Sequence, residues 1–183
     1  PIGTLAAYGL TNSSARMRSI LFPIMISPMM VPVILVAIGL FYFYVQLRMV
    51  NSISGLVLGH SLVAMPLVLI IVLSALKNYD MNQEKVARSL GASRSRAFLE
   101  ITLPQIKFSL ISASLIAFLT SFDEVIISLF VSGGDNSTIT RSMFLALRDQ
   151  IDPTIAAIST ILIIISSGLL VMSQMLGTKK QDK

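Results

Sequence analysis

The sequence has no cysteine and only one histidine, and these shortages exclude several classes of function. Without cysteine there is no disulfide, no thiolate metal site and no cysteine nucleophile. The single histidine, His60, is accompanied by no convergent nucleophile–base pair. The chain also lacks the G-x-x-x-x-G-K-[ST] motif that holds nucleotide phosphates. We therefore expect no catalytic residue, no metal site and no cofactor in this chain.

Charge is scarce as well, and its distribution indicates a membrane protein. With 54% hydrophobic and 13% charged residues and a mean hydropathy of +0.81, the chain is far more apolar than a soluble domain. Charge-free runs cover residues 19–47, 49–76 and 153–178. Each run exceeds the ~20 residues that cross a hydrocarbon core. Because lipid offers the backbone no hydrogen-bond partner, these runs predict transmembrane helices.

The predicted architecture is an all-α, polytopic transmembrane helix bundle. The spans are expected at about 1–10 (partial), 19–45, 53–76, 105–131 and 153–177. A polar segment, residues 77–104, separates the third and fourth spans, and an outer loop covers residues 132–152. The first ten residues resemble the last turns of a helix, so we expect the chain to be a fragment that lacks one or more N-terminal helices.

The net charge of +5 follows from topology and requires no nucleic-acid partner. If the polar segment is cytoplasmic, eleven of the 14 Lys and Arg residues lie inside, and only Arg48, Arg141 and Arg148 lie outside. This asymmetry is the one that the positive-inside rule predicts. We expect a lipid bilayer to surround the chain.

The polar segment carries its own helix signals. Asp80 fits a helix N-cap, which predicts a short helix over 81–90, and Gly91 can adopt the left-handed conformation that ends it. Ser93 can cap a second helix that runs to Thr102. Two short helices could form a knob for a soluble partner, and a solvated basic loop is the alternative.

Eight residues of the polar segment follow a known pattern: Ala87, Leu90, Gly91, Ala92, Phe98, Ile101, Leu103 and Pro104. The pattern resembles the EAA loop of inner-membrane permeases of binding-protein-dependent ABC importers. The resemblance implies a type I permease bundle with a coupling helix that docks into a groove on an ATPase subunit. The coupling residues that it implies are Glu84, Lys85, Ala87, Arg88, Leu90, Gly91 and Ala92. Lys85 replaces the glutamate of the motif and Glu84 lies one position upstream, so either side chain remains a candidate for the docking contact.

A second stretch, SFDEVIISLFVSGGDNSTITRSMFLALRDQIDPTIAAIST, is similar to the spermidine/putrescine permease branch. The resemblance implies a multi-pass subunit of the bacterial inner membrane that imports a small cationic solute by alternating access. The implied partners are a pair of ABC ATPase subunits, which hydrolyse ATP, a related but different second permease and a periplasmic substrate-binding protein. Opines, phosphonates, iron and thiamine remain alternative solutes.

Two adjacent acids, Asp123 and Glu124, are candidates for the substrate pathway. An ionisable residue within a membrane span is costly to bury unless it is paired or functional. The alternative is an outer-interface position, where the acids are solvated or paired with Arg141 or Arg148.

Small residues predict close helix packing at two places. Gly55 and Gly59 are four residues apart in the third span, and a stripe repeats every four residues in the fourth. The stripe consists of Ser109, Ala113, Ala117 and Ser121. His60, beside Gly59, is expected to be a hydrogen-bonded structural residue, with a pathway or proton-handling role as the alternative.

Two further classes agree less well with the sequence. A channel or membrane scaffold would leave the capped, glycine-broken polar segment unexplained. An intramembrane hydrolase would need a G-x-G-D motif, but Ser132 occupies the place of its first glycine and Asp135 falls in a polar loop.

Overall fold

The computed structural model describes residues 1–149 and 153–178, whose regular secondary structure is entirely helical. The helices are α1 (Ile2–Thr11), α2 (Ala15–Ile26), α3 (Val33–Leu47), α4 (Ile53–Asn78), α5 (Asn82–Ser89), α6 (Arg94–Ala97), α7 (Leu103–Gln105), α8 (Lys107–Asp123), α9 (Ile126–Val131), α10 (Ile139–Asp149) and α11 (Pro153–Thr178). Short 3₁₀ turns cover Ser27–Met29 and Gly134–Asn136, and a π turn covers Phe98–Thr102.

Helix α4 is the centre of the bundle, because α1, α8 and α9 all pack against it. Its residues Leu69 and Val72 are fully buried. Helix α1 approaches it at Gly3, where an added Cβ would lie 2.9 Å from the Cβ of Val68. The absence of a side chain at Gly3 therefore allows α1 to lie directly on α4.

Two apolar cores lie along the bundle. The larger core joins α1 and α4 to the polar segment and includes Leu10, Leu76 and Phe98. The smaller core joins α3 to α9 through Ala37 and Ile127, among others. The polar segment is thus part of the packed structure.

The predicted second span, 19–45, is divided in the structure. Helices α2 and α3 meet at an angle of 95° across the turn at Ser27–Met29. Pro28 lies in that turn and Pro32 is the N-cap of α3. Because proline has no backbone N–H and restricts the residue before it, a continuous helix cannot form here.

The predicted fourth span, 105–131, is also divided. Pro104 lies in α7, and an 81° bend separates Arg94–Gln105 from α8, which begins at Lys107. At its other end α8 stops at Asp123, and the extended backbone of Glu124 precedes α9. The span therefore consists of a helix of 17 residues followed by a short second helix.

By length and apolar composition, α4 is the one described helix that could cross a membrane unbroken, and counting each bent pair as a single span gives three. The last predicted span corresponds to α11, whose apolar part is Ala156–Met172. Residues 150–152 of the predicted outer loop lie outside the described residues.

Candidate functional site

The polar segment folds around the cap residues that the sequence indicates. The Asp80 side chain accepts a hydrogen bond from the backbone N–H of Asn82 at 3.0 Å, where α5 begins. Gly91 has φ +98°, the left-handed conformation expected after a helix end. Ser93 accepts a bond from the N–H of Arg96 at 3.3 Å and caps α6. The cap at Ser93 and the helix end at Gly91 are confirmed. The predicted N-cap at Asp80 is wrong by one residue, because the N-cap of α5 is Met81, which has no side-chain cap bond. The second predicted helix continues from α6 as a π turn.

The outer surface of α5 is cationic and apolar. Lys85 and Arg88 are exposed, as are Val86 (58%) and Leu90 (84%). Gly91 follows them on the same exposed tip. Of the other residues that the family pattern indicates for coupling, two are half-buried, namely Ala87 and Ala92.

Glu84 points in the opposite direction, into the protein. Its side chain is 2% exposed. The hydroxyl of Tyr8 donates to Oε1, and the hydroxyl of Thr102 donates to Oε2 at 2.7 Å. Of the two side chains that the sequence leaves open for docking, Lys85 is therefore the exposed one, and Glu84 is already hydrogen-bonded within the chain.

Tyr8 is a further residue of this site, and no sequence motif marks it as functional. Its ring lies 4.4 Å from that of Phe98, measured between centroids, and the Arg94 guanidinium lies 5.4 Å from the Tyr8 ring centroid. Tyr8 and Glu84 are 76 residues apart in the chain, so no local spacing indicates that they meet.

Asp123 and Glu124 border a cleft of about 660 Å³ between the end of α8 and the middle of α11. Three hydroxyl-bearing residues of α10 and α11 also line it, namely Thr140, Ser166 and Ser167. Asp123 is exposed and makes no hydrogen bond or ion pair with any described residue. Neither Arg141 nor Arg148 neutralises it.

Glu124, unlike Asp123, makes hydrogen bonds within the protein. Its Oε1 accepts a hydrogen bond from the backbone N–H of Ile127 at 2.9 Å, and its carbonyl oxygen accepts one from the Ser128 hydroxyl at 3.0 Å. Glu124 thereby satisfies a free N–H group in the first turn of α9. Of the two adjacent acids, Asp123 is the one whose carboxylate has no partner in the described chain.

The small-residue stripe of α8 lies on the side of α4. Ala113 is 1% exposed, and Ala117 borders a second cavity of about 440 Å³ between α1, α4 and α8. Ser121, at the far end of the stripe, contacts His60. Ser109, at the near end, borders a polar cleft beside the polar segment.

His60 joins three helices. Its Nδ1 is 2.9 Å from the Ser121 hydroxyl of α8, and its Nε2 is 3.0 Å from the Ser128 hydroxyl of α9. Gly59 beside it admits α9, since a Cβ there would lie 2.9 Å from Ile127 Cγ2. The hydrogen-bonded interpretation of His60 is confirmed, and its ring also borders the 440 Å³ cavity.

Gly55 has a different contact from the one predicted. An added Cβ would lie 2.4 Å from the carbonyl oxygen of Met49, in the turn before α4. This glycine therefore allows the turn between α3 and α4 to close, whereas Gly59 allows the approach of another helix.

The residues considered for a hydrolase do not converge. Ser132 is buried, and its hydroxyl donates to the carbonyl oxygen of Ser128 at 2.7 Å. Asp135 is exposed in the turn Gly134–Asn136. Among residues 1–149 and 153–178, no three His, Asp or Glu side chains come together as a metal site.

The described residues thus combine an apolar helix bundle, an exposed carboxylate at a cleft and a short helix with an exposed cationic surface. This combination fits a membrane transport subunit. The chain belongs to the family described as binding-protein-dependent transport system inner membrane component, whose model matches residues 1–177. It is therefore a permease subunit of the inner membrane rather than an enzyme.

Relatives in this family have names that include their solutes. The chain is 28% identical over 178 residues to a spermidine/putrescine transport system permease protein, PotC, of Haemophilus influenzae, covering 97% of this chain and 69% of the relative. PotC of Escherichia coli K12 is 27% identical over 179 residues, with 98% and 68% covered. The putrescine transport system permease protein PotI of the same organism is 30% identical over 169 residues, with 88% and 60% covered.

Proposed function

We propose that this permease subunit imports a small organic cation of the polyamine class, forming part of the translocation pathway by alternating access. The names of the PotC and PotI relatives support the solute class. Several helices of the chain pass through the bacterial inner membrane in this scheme. A periplasmic binding protein delivers the solute, and a related but different permease supplies the other half of the pathway.

The observation that carries the proposal is the carboxylate of Asp123 in the 660 Å³ cleft. The carboxylate is exposed and has no partner among the described residues, so an ammonium group that binds in the cleft could neutralise it and donate hydrogen bonds to it. The hydroxyl oxygens of Thr140, Ser166 and Ser167 could accept the remaining N–H donors. The same cleft would repel a phosphonate anion.

Energy for transport comes from ATP hydrolysis on a separate pair of ATPase subunits, so this chain needs no cofactor of its own. The exposed surface of α5 supports a docking role, since Val86 and Leu90 can enter a groove while Lys85 and Arg88 surround it. With Glu84 buried, this surface is positive. The groove on the ATPase is therefore expected to present acidic side chains next to an apolar floor.

The test is uptake of radiolabelled putrescine and spermidine by the complete transporter in cells that lack other polyamine uptake systems. Asp123→Asn keeps the size and removes the charge, and we expect KM to rise about tenfold, the effect of losing one hydrogen bond to a charged group. Glu124→Gln should have a smaller effect, because an amide oxygen can still accept from Ile127. Asp135→Asn, the same change at an exposed acid outside the cleft, is the matched control and should leave uptake unchanged.

Unchanged KM and rate in both cleft variants would show that the acids do not line the pathway. If the wild-type complex accumulates neither polyamine but does accumulate another solute, the solute class is wrong and the assignment as a permease stands.

A further inference from the structure

Glu84 is the only buried residue of α5. Val86 on this helix and Leu90 directly after it are exposed, so apolar packing of α5 against the bundle is limited to its start, where Met81 contacts the larger core. What fixes it is a carboxylate that is 2% exposed and accepts one hydrogen bond on each oxygen. Hydrogen bonds to a charged acceptor are about twice as strong as those between neutral groups.

The two donors come from different parts of the fold. Tyr8 belongs to α1, and Thr102 lies in the π turn that leads into α7 and α8. Thr102 is fully buried and Tyr8 is 8% exposed, so water does not compete for either bond. The carboxylate therefore joins α5 to α1 on one side and to the start of α8 on the other.

The position of the Tyr8 hydroxyl is itself fixed. Phe98 packs on one part of the ring and the Arg94 guanidinium lies 5.4 Å from its centroid, which holds the hydroxyl towards Glu84. Because α1 lies directly on α4 at Gly3, a displacement of Tyr8 is transmitted to the central helix.

We propose that Tyr8 and Thr102 are positioning residues that fasten α5 to α1 and α8 through Glu84, so that motion of α5 reaches the bundle by α1 as well as along the chain. The inference rests on the proposed function, in which the ATPase moves α5. In this arrangement Glu84 transmits motion within the permease, whereas Lys85 and Arg88 contact the ATPase.

Two measurements test the proposal. In the isolated permease in lipid nanodiscs, hydrogen exchange reports how often α5 opens. Tyr8→Phe removes the hydroxyl and keeps the ring, and we expect the α5 amides to exchange about tenfold faster, because a hydrogen bond to a charged group is lost. Thr102→Val should act in the same direction. Tyr42→Phe, which removes an exposed hydroxyl on α3, is the matched control and should change nothing.

The second measurement is the number of putrescine molecules transported per ATP hydrolysed by the reconstituted complex. We expect Tyr8→Phe and Thr102→Val to lower this ratio at least threefold while the ATPase still co-purifies with the permease. Unchanged exchange in α5 would overturn the fastening role, and faster exchange with an unchanged ratio would overturn the transmission role. If the wild-type complex shows no ATP-driven uptake, the proposed function fails, while the exchange data still decide whether Glu84 fastens α5.

If Tyr8→Phe does not fold, Thr102→Val is measured alone, and the same two outcomes apply to it.

Discussion

Glu84 and Asp123 are both acids in a chain with few charges, yet their surroundings are opposite. Glu84 is 2% exposed and accepts a hydrogen bond on each oxygen. Asp123 is exposed in a cleft and has no partner among the described residues. An acid whose carboxylate accepts hydrogen bonds within its own chain stabilises the fold, whereas an acid without such hydrogen bonds is available to a ligand.

The largest effect on stability should come from removing the satisfied acid. Glu84→Ala leaves the buried hydroxyls of Tyr8 and Thr102 without an acceptor, and we expect the free energy of unfolding to fall by about 3 kcal/mol. Detergent titration followed by circular dichroism measures this loss. Glu100→Ala, at the exposed ion pair with Arg96, is the control and should cost less than about 0.5 kcal/mol. Equal losses in the two variants would contradict the comparison.

His60 extends the comparison to a side chain whose two ring nitrogens both lie within hydrogen-bond distance of a hydroxyl group. His60→Ala removes the contacts to Ser121 and Ser128, and we expect the free energy of unfolding to fall by about 2 kcal/mol. The same titration measures it, with Ser61→Ala on the neighbouring position of α4 as the control. A loss no larger than that of the control would show that His60 does not hold α8 and α9 to α4.

A smaller effect should follow from reversing an exposed charge. Lys85→Glu should weaken binding of the permease to its ATPase about fivefold at low salt, equivalent to about 1 kcal/mol for an exposed ion pair. Biolayer interferometry on nanodisc-embedded permease measures the affinity. Lys77→Glu, at the end of α4, is the control. If neither substitution changes the affinity for the ATPase, docking depends on Val86 and Leu90 instead.

The smallest effect on stability is expected where the effect on transport is largest. Asp123→Asn removes a charge that has no described partner, so the free energy of unfolding should change by less than about 0.5 kcal/mol. The detergent titration again provides the value. A loss comparable to that of Glu84→Ala would mean that Asp123 has a structural partner, and the contrast between the two acids would disappear.

Local signals in the polar segment were sufficient to predict its helices. Gly91 and Ser93 act through backbone groups within three residues of themselves, and both behave as predicted. Asp80 accepts a hydrogen bond from the N–H of Asn82 but lies one residue before the N-cap, Met81. The broken spans were not predicted, although their causes are local. Pro28 and Pro32 divide 19–45, and α8 ends at Glu124, whose backbone is extended and whose side chain accepts from the N–H of Ile127 in α9. Hydropathy measures length and apolar content, and it is insensitive to a turn inside an apolar run.

Composition and charge distribution by themselves determined that this protein is a helical membrane protein, and the motif residues indicated its family. Only the tertiary structure decided which of Glu84 and Lys85 faces outward. Adjacent residues on a helix point about 100° apart, which establishes that both cannot face the same way. The absolute orientation depends on Tyr8, 76 residues away, because its hydroxyl and that of Thr102 satisfy a buried carboxylate and leave the lysine to solvent.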